Sequence, residues 1–216
     1  MEIVLRDVSH HFIDGGRTLT LFERFSTVIP EQATTIIYGP SGSGKSTLIS
    51  IIGGLLKPVR GRVIMDGKSY YEMSERDRDM FRAQKIGFIF QMFYLIPDMD
   101  VLSNVMLSMH ELSASRKVKQ DRAVKLLAQV GLLDRINSNP LDLSGGEQQR
   151  VAIARALANE GSVIIADEPT GNLDESTANA IMRMLCELKR EGKTVIIVTH
   201  NQSYKRFADN LIEYSR

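Results

Sequence analysis

Gly39, Pro40, Ser41, Gly42, Ser43, Gly44, Lys45, Ser46 and Thr47 form a stretch whose residue types and spacing suit it to holding phosphate. The stretch reads G-x-x-x-x-G-K-S, with a β-branched apolar run before it (residues 35–38) and a helix beginning at Thr47 after it. Its glycines let the backbone curl so that successive N–H groups face inward and cradle phosphate oxygens. The helix that follows adds the positive end of its dipole. Lys45 can then reach the β- and γ-phosphates, and the Ser46 hydroxyl is placed to ligate Mg²⁺. A glycine turn that only joins strand to helix is the bland alternative, and the flanking pattern argues against it. Two more groups fit the same chemistry. Asp167 and Glu168 end a buried apolar run (residues 163–166); Asp167 suits an acid that holds Mg²⁺ through water, and Glu168 suits a general base for the attacking water. Gln91 and His200 each end another such run, residues 86–90 and 193–199, at the strand ends where open parallel sheets bind ligands. An amide at position 91 can contact Mg²⁺ or a water. A lone glutamine is otherwise a loop residue, and a lone histidine is more often structural.

Elements must position these groups, and the sequence is long enough to supply them. At 216 residues it accommodates one α/β domain, or one domain with a small insertion. Residues 3–8, 19–28 and 62–67 read as strands of an antiparallel sheet beside a parallel core, with Asp14, Gly15 and Gly16 in the first turn. Phe12 precedes that turn, where its ring either stacks on an adenine or joins the core. Residues 72–85 alternate charges and read as a solvated helix face. The methionine-rich run that follows Gln91 is broken by Pro97. Val101, Leu102, Val105, Met106 and Met109 then recur at helical spacing and read as the core of a helical subdomain, while Phe93 and Tyr94 suit partner docking. Residues 117–130 read as a second amphipathic helix, with Val124, Leu127 and Val130 inward. Ser144, behind Pro140, is an N-cap candidate for an alanine-rich helix, and Ser144, Gly145 and Gly146 together offer a hydroxyl and uncovered N–H groups to an anion.

Composition narrows the partners. A formal net charge of +1 argues against a polyanion-binding surface, so no nucleic acid is expected. Cys186 is the only cysteine, which leaves no internal disulfide or cysteine-rich zinc site, and it reads as a small core residue. Glu2 and Arg6 interrupt the first apolar stretch, and no apolar run approaches the roughly 20 residues of a membrane span. A reducing, cytoplasmic setting is expected.

Leu143, Ser144, Gly145, Gly146 and Gln148 complete the pattern L-S-G-G-x-Q, and here the chain resembles the ATP-binding cassette family. The resemblance covers Phe12 through His200. It implies an α/β fold: a P-loop NTPase core with a mixed sheet, an N-terminal antiparallel β subdomain and a helical, signature-bearing subdomain over about residues 92–158, all in one domain spanning 1–216. It also implies ATP and Mg²⁺ as cofactors and ATP hydrolysis as the activity. His200 is assigned by the resemblance to the γ-phosphate and the water. Asp174 matches the terminal acid of a segment that crosses between subunits. Asn201 stands where the family often has Asp, and Phe12 where Tyr is common. The implied partners are a second copy, each signature closing over the other's nucleotide, and a membrane permease contacted between Phe93 and Met109. The implied location is the cytoplasmic face of the cell membrane. The string from Asp167 to Asp174 is most similar to a branch of macrolide and peptide exporters, lipoprotein-releasing systems, haem exporters and a cell-division pair. A single-cassette ATPase of a soluble assembly machine, as in iron–sulfur cluster biogenesis, is the alternative.

Overall fold

The computed structural model describes residues 1–15, 17–110 and 113–214. Gly16, expected in the first turn, lies outside them. Two sheets form the frame, and the two strand directions segregate between them. The first is antiparallel: β1 (Ile3–Asp14), β2 (Arg17–Ile29), β4 (Arg60–Met65) and β5 (Lys68–Ser69), in the order β2-β1-β4-β5. The second contains β3 (Thr34–Tyr38), β6 (Ile86–Phe90), β7 (Val163–Asp167), β8 (Thr194–Thr199) and β9 (Asn210–Glu213), in the order β6-β7-β8-β3-β9. Every pairing in this second sheet is parallel. The expected mixed sheet is thus two sheets of opposite character.

β1 and β2 run farther than residues 3–8 and 19–28 because register shifts between Leu5 and His11 absorb extra residues. Asp7 and Arg24 take φ of 48° and 50° at this irregular stretch. Each shift changes which face a side chain meets, so apolar alternation loses phase and hides the strand. The parallel strands are easier to read because both faces are covered. Ile164, Ala166, Ile36 and Ile197 pack on one side with the helices, while Ile37, Ile165, Ile196 and Val198 pack on the other against the antiparallel sheet.

Six α-helices complete the described chain: α1 (Lys45–Ile52), α2 (Glu75–Lys85), α3 (Val101–Leu107), α4 (Arg116–Gln129), α5 (Gly145–Leu157) and α6 (Glu175–Glu187). α1 begins two residues before Thr47, because Gly44 at φ 104° turns the chain and leaves Lys45 in the first turn. α2 buries none of its residues, as a charged face requires. α3, α4 and α5 pack on one another. Val101, Val105 and Met109 are buried there, while Leu102 and Met106 are half-buried. On α4 the inward residues are Ala123 and Leu127, with Val130 just past its end; Val124 is only half-buried, displaced by one position from the expected stripe. Cys186 is buried on α6. Among the described residues no helix is long and apolar enough to cross a membrane.

Asn104 organises the bend around Pro97. Its side chain is fully buried, accepts from Ile96 N–H at 2.7 Å and donates at 3.0 Å to the carbonyls of Ile96, Met99 and Asp100. Asn104→Ala strands these groups, at a cost of about 3 kcal/mol if only part of the network relaxes. The midpoint of thermal unfolding should fall by roughly 6–12 °C. An unchanged midpoint by calorimetry would show that the bend holds itself.

Candidate active site

The chemistry-bearing residues converge because four neighbouring strands end on one rim. In spatial order, β6 delivers Gln91, β7 delivers Asp167 and Glu168, β8 delivers His200, and β3 delivers the glycine-rich loop. They surround a cleft of about 530 Å³ lined by Ser41, Gly42, Gly44, Lys45, Ser46, Thr47, Gln91, Glu168 and His200. Its remaining wall is apolar: Phe12, Leu19 and Leu21.

The loop has the features of an anion cradle. Gly42 takes φ 75° with nothing within 4 Å of a notional Cβ. Gly39 is needed for a close approach, since a Cβ there would stand 2.1 Å from the Tyr214 carbonyl oxygen. Lys45 Nζ donates to the Gly39 and Pro40 carbonyls at 2.8 and 2.7 Å, so its ammonium lies inside the loop. Ser43 Oγ is buried without a partner among the described residues. The first N–H groups of α1 lack intrahelical acceptors by the geometry of any helix start.

Ser46 Oγ donates to Asp167 Oδ1 at 3.1 Å, linking the loop to the acid pair across β8. Burial pushes the Asp167 carboxyl above its usual range, the Ser46 hydrogen bond opposes this, and the nearby Glu168 charge adds to it. Among the described residues no group of three or more His, Cys, Asp or Glu side chains could hold a metal ion. The Ser46 hydroxyl and the Asp167 carboxylate suit Mg²⁺ instead, which takes one or two protein oxygens and completes its shell with phosphate and water. Next to it, His200 Nδ1 and Glu168 Oε1 are 2.8 Å apart. The Glu168 side chain is 16% exposed and that of His200 55%, so the carboxylate is sheltered while the ring lies open at the cleft. Glu168 also holds φ 45°, a conformation costly for a side-chain-bearing residue and found most often at sites of function.

Phe12 is 44% exposed at the cleft mouth, edge-on to His10 with ring centroids 4.9 Å apart. Its ring therefore does not belong to the buried core. Ser144, Gly145, Gly146, Gln148 and Asp174 do not line this cleft. Ser144 caps α5 in a reciprocal box with Glu147, and the Gln148 side chain donates to the Leu143 carbonyl at 3.0 Å. Asp174 caps α6, accepting from the Ser176 and Thr177 N–H groups at 3.0 Å; hydrogen bonds from the Thr177 side chain and N–H, joined by those from Ser176, hold its carboxyl down to about 2. One chain therefore gathers most of the expected set around the cleft and leaves these five residues away from it.

Sequence reasoning missed Arg155 and Asn172. Arg155 on α5 donates to the carbonyls of Tyr94 and Phe93 at 2.5 and 2.6 Å, pinning the segment after Gln91. Its position in an alanine-rich helix gave no hint of that reach. The same segment separates the two residues expected to dock a partner. Tyr94 is 64% exposed and lines a groove of about 450 Å³ with Gly87, Phe88, Phe90, Ser108 and Arg155, whereas Phe93 is half-buried and turned toward Gly145.

Fold and site together define a P-loop nucleoside triphosphatase. Residues 22–171 match the ABC transporter family, and the chain belongs to it as an ABC-type ATPase subunit. An uncharacterized ABC transporter ATP-binding protein of Methanocaldococcus jannaschii is 48% identical over 92% of this chain and 88% of its own length. The macrolide export ATP-binding/permease protein MacB of Escherichia coli is 42% identical over 98% of this chain, but the chain spans only 33% of that protein. A solved dimeric, post-hydrolysis structure of the ATP-binding cassette MJ0796 with ADP and phosphate superposes with a TM-score of 0.90 at 38% identity, covering 99% of this chain and 94% of that one.

Proposed function

We propose that this chain is the ATP-hydrolysing subunit of a membrane complex in the exporter, lipoprotein-releasing or cell-division branch, and that two copies clasp two nucleotides between them. The observation that carries this reading is the Glu168–His200 pair, 2.8 Å apart in the cleft that also holds Lys45. Lys45 and the N–H groups of the loop hold the phosphates, and Phe12 stacks on the base. Ser46 and, through water, Asp167 would hold Mg²⁺, and Gln91 at the same end of the cleft would contact it or the attacking water. Bound there, Mg²⁺ neutralises charge on the phosphate oxygens. Glu168 takes the proton of the attacking water, and His200 orients Glu168 while contacting the γ-phosphate.

Ser144, Gly145, Gly146, Gln148 and Asp174 bind nucleotide from the second copy, which accounts for their position outside the chain's own cleft. The permease docks in the groove beside Tyr94, within the Phe93 to Met109 region, which puts the dimer on the cytoplasmic face of the membrane. Residues 92–158 act as the mobile helical part of a single domain.

Tyr94→Ala tests the docking. Co-expressed with the permease and extracted in detergent, the variant should lose most of the bound permease while its basal phosphate release stays within about twofold, as for surface changes away from the cleft. Full recovery of the permease with Tyr94→Ala would move the contact elsewhere.

A further inference from the structure

Gln91 is not free in the cleft. Its Nε2 donates to Asn172 Oδ1 at 3.4 Å, and Asn172 Nδ2 donates back to the Gln91 carbonyl at 3.2 Å. The same nitrogen stands 3.8 Å from the Met92 sulfur. The two residues are 81 apart in sequence, so the reciprocal pair is a tertiary link rather than a turn. The backbone on either side of Asn172 is hydrogen-bonded. Gly171 N–H donates to the Glu168 carbonyl at 3.1 Å, Leu173 N–H to the Thr170 carbonyl at 3.2 Å, and Asp174 begins the cap of α6. The Gln91 side chain lies along Gly171, where a Cβ would stand 2.6 Å from Gln91 Nε2 and 3.0 Å from its Cδ. On the far side, a Cβ at Gly145 would meet Leu173 Cδ2 at 3.3 Å and Phe93 Cζ at 3.8 Å. Segment 170–174 is thus wedged between the strand-end glutamine and the start of α5.

We infer that Asn172 is a positioning residue for Gln91: the paired carboxamides, seated on Gly171, fix the amide at the mouth of the phosphate cleft. The inference rests on the role of Gln91 proposed above and deepens it. Displacing segment 170–174 then moves Gln91 directly, because the two share hydrogen bonds rather than a distant packing contact. Without Asn172 the glutamine side chain loses its one hydrogen-bond partner among the described residues and samples rotamers that face away from the cleft.

A double-mutant cycle on phosphate release separates this from a merely structural bond. Asn172→Ala should lower kcat about tenfold, as losing one positioning hydrogen bond implies, and raise the Mg²⁺ concentration at half-maximal rate. The melting temperature should stay unchanged, since both side chains are exposed. In a Gln91→Ala background, Asn172→Ala should change kcat by less than about twofold. Gly171→Ala offers a second route that leaves the Asn172 side chain intact: its Cβ pushes the flexible end of Gln91 aside, so kcat falls alone but not with Gln91→Ala. Additive losses, full activity of Asn172→Ala, or a loss that follows a lowered melting temperature would each overturn the inference while leaving Gln91 in its role. A fully active Gln91→Ala would overturn that role, and the positioning with it.

Discussion

Glu168→Gln should bind Mg·ATP as the parent does and hydrolyse it roughly 10²–10⁴-fold more slowly, the range expected when a general base is lost. The change keeps the volume and hydrogen-bonding outline of the side chain and removes only its ability to take a proton. The neighbouring Ser46–Asp167 contact, 3.1 Å long, does not involve Glu168, so that end of the cleft stays assembled. His200 Nδ1, 2.8 Å from Glu168 Oε1, keeps an oxygen to donate to. With cleavage slowed and binding intact, ATP should gather the protein into closed pairs. Moving a population from 1:99 to 99:1 takes about 5.5 kcal/mol. Two γ-phosphates, each held across the seam by a few charge-assisted hydrogen bonds of roughly 1.5–3 kcal/mol, can supply it. Light scattering with and without ATP reads the copy number, and single-turnover phosphate release reads the chemistry. Turnover within tenfold of the parent would remove Glu168 as the base.

Much of this site was legible in the sequence because its geometry is local. A glycine-rich loop between strand and helix, and acids or amides that terminate apolar runs, need no knowledge of distant contacts. Parallel order then brings β6, β7, β8 and β3 side by side and lines up Gln91, Glu168, His200 and Lys45 on one rim. What stayed hidden depends on residues far apart in the chain. The reach of Arg155 to Phe93 and Tyr94 spans more than 60 residues, and no spacing rule announces it. β9 was unseen because Asn210–Glu213 is short and alternates half-buried with exposed positions, at the sheet's edge. Phe93 and Tyr94 look alike as exposed aromatics until the φ of 48° at Tyr94 turns the two rings to different surfaces. Phe12 illustrates the opposite case: spacing alone leaned slightly toward the core, and exposure at the cleft mouth overturned it.

Lys45→Ala should abolish useful nucleotide binding rather than slow the chemical step. Lys45 is 5% exposed, and its ammonium sits between the Gly39 and Pro40 carbonyls. With a triphosphate present it should turn from these carbonyls to the β- and γ-oxygens. Two charge-assisted hydrogen bonds to phosphate contribute roughly 3–6 kcal/mol together, so affinity should fall by about 10²–10⁴-fold. Lys45→Arg is not a rescue, because the larger planar guanidinium does not fit the space between the two carbonyls. Thermal unfolding gives the clearest readout. At ATP one hundred times its dissociation constant the parent gains about 2.7 kcal/mol by mass action, a rise of roughly 5–10 °C in midpoint for a chain of this length. The variant at the same ATP concentration should show almost none of that rise, and should remain in single copies when Glu168→Gln is added to it. A variant that keeps the full ATP-dependent shift would place the phosphates somewhere other than this loop, and the catalytic assignments of Glu168, His200 and Gln91 would fall with it.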